Sequence, residues 1–212
     1  MKHKSVFLKS ILSGVYLTIV VAMYLLVKAK TGNDVLASLL FSFALLLIVA
    51  KGYYLYTGKV GYLLPHEEGN LKMIGITILG NIIGILVVGL LINLTNLAGL
   101  EEIAKETVNS KFNNKLWYES FILSIFCGIM MYTAVDGYSR INDKILRVLV
   151  VILSVMTFLL AGFEHSIANM GYLIFAKEFS FKILGYLALM ILGNGIGAVT
   201  INLIHTKIDK AS

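Results

Sequence analysis

One stretch decides the fold: Gly162-Phe163-Glu164-His165-Ser166-Ile167-Ala168-Asn169-Met170-Gly171-Tyr172-Leu173, which follows directly on an apolar run ending at Ala161. A glutamate and a histidine in such a setting are costly in hydrocarbon unless they are paired or hydrated. With glycines at both ends, the stretch makes a poor continuous helix. Irregular backbone is tolerated at membrane depth only where protein buries it or where it lines a cavity. A second stretch has the same character. After an apolar run ending at Ala50 the chain reads Lys51-Gly52-Tyr53-Tyr54-Leu55-Tyr56-Thr57-Gly58-Lys59-Val60-Gly61-Tyr62-Leu63-Leu64-Pro65. Both stretches read as interruptions of membrane-spanning helices.

The composition around them supports that setting. Of 212 residues, 58% are hydrophobic and 14% charged, with one proline and a mean hydropathy of +0.85. Soluble domains carry about 25% charged residues, so a disordered chain and an ordinary soluble enzyme are excluded. The lone Cys127 permits neither an internal disulfide nor a Cys-x-x-Cys metal site. A bilayer-crossing helix needs about 20 apolar residues, and six runs qualify: Ser5–Val27, Val35–Tyr56, Leu71–Leu97, Leu116–Val135, Ile145–Ala161 with an extension to Ala176, and Phe181–Ile204. The links are short, the longest and most charged running from Ala98 to Asn114. The first run is longer than the h-region of a signal peptide, about 7–15 residues, and reads as a retained span. The net charge of +6 comes mostly from basic residues at the ends of the runs, where they face headgroups rather than nucleic acid. Ten of these, including Lys2, fall on the side of the N-terminus and seven on the other, which predicts cytoplasmic termini.

The two interruptions also match each other. A shift of 110 residues superposes Gly52 on Gly162, Tyr53 on Phe163, and Gly61-Tyr62-Leu63 on Gly171-Tyr172-Leu173. Downstream, Leu79-Gly80-Asn81-Ile82-Ile83-Gly84 repeats as Leu192-Gly193-Asn194-Gly195-Ile196-Gly197 at a shift of 113. The chain therefore reads as one all-α transmembrane domain over residues 1–212, with one repeat at about 5–97 and another at about 116–204. An odd number of spans per repeat inserts the second upside down, which makes an aquaporin-like inverted repeat with helices 2 and 5 broken. The half-helix N-termini are expected to present unpaired N–H groups and partial positive charge to an anion. Gly80 and Gly84, like Gly193 and Gly197, share a helix face suited to close packing, which places Asn81 and Asn194 to bond the broken backbone.

His165 stands out as a candidate functional group, because an imidazole both donates hydrogen bonds and carries protons near neutral pH. Glu164 would repel an anion. It is expected to cap backbone N–H groups or to pair with Lys51, with Asn169 as a further support of the site. Other chemistry lacks its pattern: there is no His-Glu-x-x-His metal site, no Walker loop and no Gly-x-Ser-x-Gly elbow around Ser166. Neither an enzyme, nor a metal, nor another cofactor is expected.

The run Gly162-Phe163-Glu164-His165-Ser166-Ile167-Ala168-Asn169-Met170, together with Leu55-Tyr56-Thr57-Gly58 and both Gly-Asn-x-x-Gly copies, resembles the formate/nitrite transporter family of bacterial anion channels. The resemblance covers essentially the whole chain. It implies a homopentamer in the bacterial cytoplasmic membrane in which each six-span subunit has its own pore for formate, nitrite, hydrosulfide, lactate or a similar small monovalent anion. It further implies that His165 is the central pore histidine and that Thr57 lies opposite it. Leu55 and Tyr56 take the places of a hydrophobic constriction. Gly128 stands where relatives usually carry an asparagine, which would leave room in the pore wall. Lys111 or Lys115 matches a lysine near the entrance to the fourth span, as a charge of the vestibule. The rival reading is an aquaporin-like pore for neutral solutes, which would want Asn-Pro-Ala at both breaks; neither break has it.

Overall fold

A computed structural model describes residues 2–95, 97 and 99–211; Ala98, the first residue of the longest expected link, lies outside the described residues, as does the side chain of Lys2. The elements are α1 (Lys2–Thr31), α2 (Asp34–Ala50), α3 (Tyr56–Lys59) running into a 3-10 turn (Val60–Leu63), α4 (Asn70–Asn93), α5 (Leu100–Val108) running into a π turn (Asn109–Asn113), α6 (Trp117–Arg140), α7 (Lys144–Leu160), α8 (Ser166–Ala176) and α9 (Phe181–Ala211). No strand occurs among the described residues. Helices α1, α4, α6 and α9 are long and apolar enough to cross a membrane. The other two apolar runs are each divided, at residues 51–55 and 161–165. The second division is narrower than the sequence predicts, since α8 runs helically through Gly171 and Tyr172.

Polarity is arranged inside out. Leu86, Leu90, Leu91, Leu153 and Leu192 face outward, while Ser10, Thr18, Asn81, Ser124, Glu164, His165 and Asn194 are buried. An outer surface rich in leucine around a polar interior suits lipid rather than water. The chain is a multi-pass membrane protein. Several of its buried hydroxyls turn back onto the preceding helical turn, as Ser10 does to the Val6 carbonyl at 2.7 Å and Thr18 to that of Gly14 at 2.8 Å, while those of Ser120 and Ser166 find no partner among the described residues.

Two helix pairs dominate the packing, α1 with α4 and α6 with α9, and the same glycine pattern brings each pair together. A Cβ at Gly84 would lie 2.2 Å from the Ile11 carbonyl oxygen, and one at Gly197 2.0 Å from that of Ile125. A Cβ at Gly14 would lie 2.3 Å from the Asn81 carbonyl oxygen, and one at Gly128 2.1 Å from that of Asn194. Without a hydrophobic drive between helices in lipid, such backbone approach supplies much of the association.

The link from Ala98 to Asn114 is not simply polar. Leu100, Ala104, Val108 and Phe112 recur at intervals of four and are buried, and α5 packs along α8. Glu101 takes hydrogen bonds from Lys105 and from Lys177 just beyond α8, which pull its carboxyl down to about 2. Because that value is depressed, the clasp persists from neutral pH downward and is lost only as the pH falls through it.

The glycine contacts predict a pattern of stability. Gly84→Ala and Gly197→Ala should each destabilise by about 1–3 kcal/mol through overpacking. Gly75→Ala and Gly185→Ala, where an added Cβ meets nothing, should leave the protein unharmed. Thermal unfolding of the purified protein in detergent checks both halves of the pattern.

Candidate functional site

Both breaks are made the same way. At the end of α2 the Tyr53 N–H bonds the Ile48 carbonyl at 2.9 Å and the Gly52 N–H bonds that of Val49 at 3.1 Å; at the end of α7, Phe163 bonds Phe158 at 2.9 Å and Gly162 bonds Leu159 at 3.1 Å. This pair of bonds closes a helix around a left-handed residue. Gly52 and Gly162 take φ of +62° and +70°, which costs a residue without Cβ little. Each chain then runs extended through Leu55 or His165 and turns helical again at Tyr56 or Ser166.

The extended segments leave peptide groups with no helical partner, and one asparagine serves each of them. The Asn81 side-chain oxygen accepts the Tyr56 N–H at 2.9 Å, while its amide donates to Tyr54 O at 2.9 Å and Ser10 O at 2.8 Å. The Asn194 oxygen accepts the Ser166 N–H at 2.9 Å, and its amide donates to Glu164 O at 2.9 Å and Ser124 O at 2.8 Å. Each carboxamide uses both of its donors in a fully buried place, where an unmet peptide group is expensive. The expectation of unpaired N–H groups at the half-helix starts needs correction. Tyr56, Ser166 and Ala168 all donate to side chains of the protein itself.

The two broken segments meet side chain to side chain. Thr57 Oγ1 and His165 Nε2 lie 3.0 Å apart, with Thr57 fully buried and His165 2% exposed. His165 Nδ1 accepts the Ala168 N–H at 3.1 Å, so that nitrogen carries no proton and Nε2 carries the ring hydrogen. The imidazole is thus held neutral, as a donor aimed at Thr57. The Phe158 ring lies 5.5 Å from it. Leu55 is buried beside Thr57, but the Tyr56 hydroxyl turns away and donates to Ile191 O on α9 at 2.7 Å.

Glu164, next to His165, is fully buried and holds two lysines: Lys111 Nζ at 2.8 Å and Lys115 Nζ at 2.5 Å. The Asn169 amide donates to the same carboxylate at 2.8 Å. Two ammoniums against one carboxylate leave this cluster with one positive charge. The expected Lys51–Glu164 pair does not form. Lys51 is exposed at the end of α2, while the π turn after α5 brings Lys111 onto Glu164. The choice between Lys111 and Lys115 falls away, since their four-residue spacing puts both on one carboxylate.

A cavity opens at each break. One, of about 100 Å³, is lined by Gly52, Tyr53, Leu55, Gly58, Lys59, Val135 and Tyr138 among others. The other, of about 350 Å³, is lined by Tyr24, Lys28, Glu106, Lys111, Lys115, Gly162 and Phe163 among others. Neither Thr57 nor His165 lines either cavity; their hydrogen bond sits in closed protein. Gly128 also lines neither. The room expected there is filled by the Asn194 backbone, so Gly128 is a packing residue equivalent to Gly14. Composition hid the aromatic residues of the site, Phe158 beside His165 and Phe163 stacked 5.5 Å from Phe126, although Phe163 is the repeat mate of Tyr53.

The fold is shared with solved structures. The chain is similar over its full length to a solved "Pentameric formate channel with formate bound", at 22% identity and a TM-score of 0.85, with 98% of that chain covered. It is similar to an "FNT family ion channel" at 20% identity and the same TM-score, over 97% of this chain and 90% of that one. No curated protein matches the sequence. The model of the formate/nitrite transporter family matches residues 1–206, and the chain belongs to that family.

Proposed function

We propose that the chain conducts small monovalent anions, with formate, nitrite and hydrosulfide as the class to test, through a pore that passes Leu55, Thr57 and His165. The observation that carries this reading is the Thr57–His165 hydrogen bond, which joins two broken helices with a cavity at each break. The matched helix ends, asparagines and glycines support two inverted repeats and six spans, each broken helix counting as one. Both termini are taken as cytoplasmic, in the inner membrane of a bacterium. A homopentamer is carried over from the solved channel whose name describes it so.

The route asks for a partly dehydrated anion, and burying a bare charge is prohibitive without compensation. Lys111 and Lys115 attract the anion into the wider cavity, since Glu164 cancels only one of their two charges. Farther in, Leu55 and Phe158 present apolar walls. There the Nε2–H of His165 and the hydroxyl of Thr57 exchange their mutual hydrogen bond for bonds to the anion. A hydrogen bond to a charged group contributes about 1.5–3 kcal/mol, enough to offset part of the lost hydration. As it is held, the ring is a donor and not an acid. It becomes an acid only when a proton reaches Nδ1, which requires the Ala168 N–H to let go. The fully buried Glu164 stays off the route, fixed by Asn169 and the lysines.

Two measurements test this. Stopped-flow uptake into proteoliposomes, comparing formate, nitrite, hydrosulfide and lactate across pH, should show uptake that His165→Phe lowers at least about ten-fold, the loss of roughly 1.4 kcal/mol of stabilisation or more. His165→Asn, which keeps a donor but cannot titrate, should retain uptake and flatten its pH profile; an unchanged profile removes His165 from any protonation step. The second concerns the charge cluster. Lys111→Met or Lys115→Met alone should fold with uptake reduced a few-fold, because the other lysine still holds Glu164. The double variant should lose about 3–5 kcal/mol, the cost of an uncompensated buried charge, read as a fall in melting temperature.

A further inference from the structure

The two cavities differ in how their charge is held. In the wider one, Lys111 and Lys115 share Glu164, and Lys28 is paired with Asp34 at 2.9 Å. In the narrower one, Lys59 is the one lysine, arginine or carboxylate in the wall. It stands at the end of α3, half-buried, with Nζ 5.0 Å from the ring centre of Tyr54 and 6.0 Å from that of Tyr62. Among the described residues no carboxylate pairs with this ammonium and no acceptor takes a hydrogen bond from it. Lys9 adds a second positive charge, its Nζ 6.0 Å from the same Tyr54 ring. The Arg147 guanidinium lies 4.9 Å over Tyr138, another wall residue. Asp136, next in sequence to the wall residue Val135, is engaged elsewhere, by the Tyr62 hydroxyl at 3.1 Å and Arg140 Nε at 2.9 Å.

An ammonium has three donors and no acceptor. Tyrosine faces attract its charge but leave those donors without a strong partner. We propose that Lys59 is an anion-binding site in the narrower cavity, at the mouth opposite Lys111 and Lys115; this rests on the channel reading above. The occupant is a small monovalent anion. A cavity of about 100 Å³ admits an ion of a few atoms, and one unshared ammonium balances one negative charge. The remaining wall, with Ile48, Val49, Leu55 and Val135, would leave a larger polyanion uncompensated. Because no carboxylate divides the charge of Lys59, this mouth gathers anions with a single residue where the other uses a three-member cluster. Leu55, which lines the same cavity, then separates the waiting anion from Thr57.

The chain's one cysteine, Cys127, is buried, which makes a cysteine scan at this mouth practical. In proteoliposomes, Lys59→Cys should lower nitrite uptake at sub-saturating concentration about five-fold, the scale of removing one nearby partly screened charge. Reaction of that thiol with methanethiosulfonate ethylammonium should restore uptake, and the ethylsulfonate reagent should depress it further. In a Ser139→Cys variant, which puts the thiol in the same wall and keeps Lys59, nitrite should slow the reaction with either reagent. Uptake by Lys59→Cys equal to that of the unaltered protein overturns the site, as do equal rates for the two adducts. If the unaltered protein takes up no anion at all, the channel reading fails. Protection of the Ser139→Cys thiol by nitrite, with Lys59 in place, then still reads the site separately: slowing supports it and its absence overturns it. Lys59→Arg, which keeps the charge, should behave as the unaltered protein and controls for folding.

Discussion

Everything here depends on how a membrane protein affords an interrupted helix. Breaking a helix at depth strips several peptide groups of their partners where no water can replace them. Asn81 and Asn194 meet that demand from opposite halves of the molecule. Each accepts the first N–H of the resumed helix and donates to the carbonyl two residues earlier and to the neighbouring helix. The glycines around them follow from the same need. An asparagine reaches across two helices only when their backbones nearly touch, and Gly14, Gly84, Gly128 and Gly197 allow that. Packing and hydrogen bonding are therefore one arrangement used twice.

What differs between the two halves gives the site its character. The extended segment of one half carries Leu55 where the other carries His165, and Tyr54 where the other carries Glu164. A symmetric frame thus presents an apolar residue from one side and a neutral hydrogen-bond donor from the other, joined through Thr57. The charges stay outside this junction. Glu164 is turned to Lys111 and Lys115, and the backbone bond to Nδ1 keeps the imidazole uncharged. On the proposed reading, a junction with no net charge of its own, with Lys59 in one flanking cavity and Lys111 and Lys115 in the other, draws anions in without trapping them.

The parts of this visible from sequence were those with a strong local cause. Gly52 and Gly162 betrayed the breaks because a left-handed helix end favours glycine, and the two Gly-Asn-x-x-Gly copies marked the close-packed pairs. The misreadings had a common origin, since each needed knowledge of which distant segments meet. Lys51 is the partner that span position alone suggests for Glu164, whereas Lys111 and Lys115 reach it from the charged link and its edge. The interval of four between Leu100, Ala104, Val108 and Phe112 held the signal that this link is an amphipathic helix folded onto α8. Gly128 was read as a gap in a wall because a glycine in isolation does not reveal whether its empty side is filled by another backbone. Tyr56, expected at the constriction, anchors its hydroxyl on the Ile191 carbonyl, a bond between distant segments that sequence alone does not display.

The central claim is that an anion passes between Thr57 and His165. A structure determined in lipid at saturating nitrite tests it most directly. The account predicts an anion within about 3 Å of Nε2 of His165, a hydrogen-bond distance, with the Thr57–His165 contact opened to admit it. An anion held elsewhere in the protein while that contact stays intact would contradict the account.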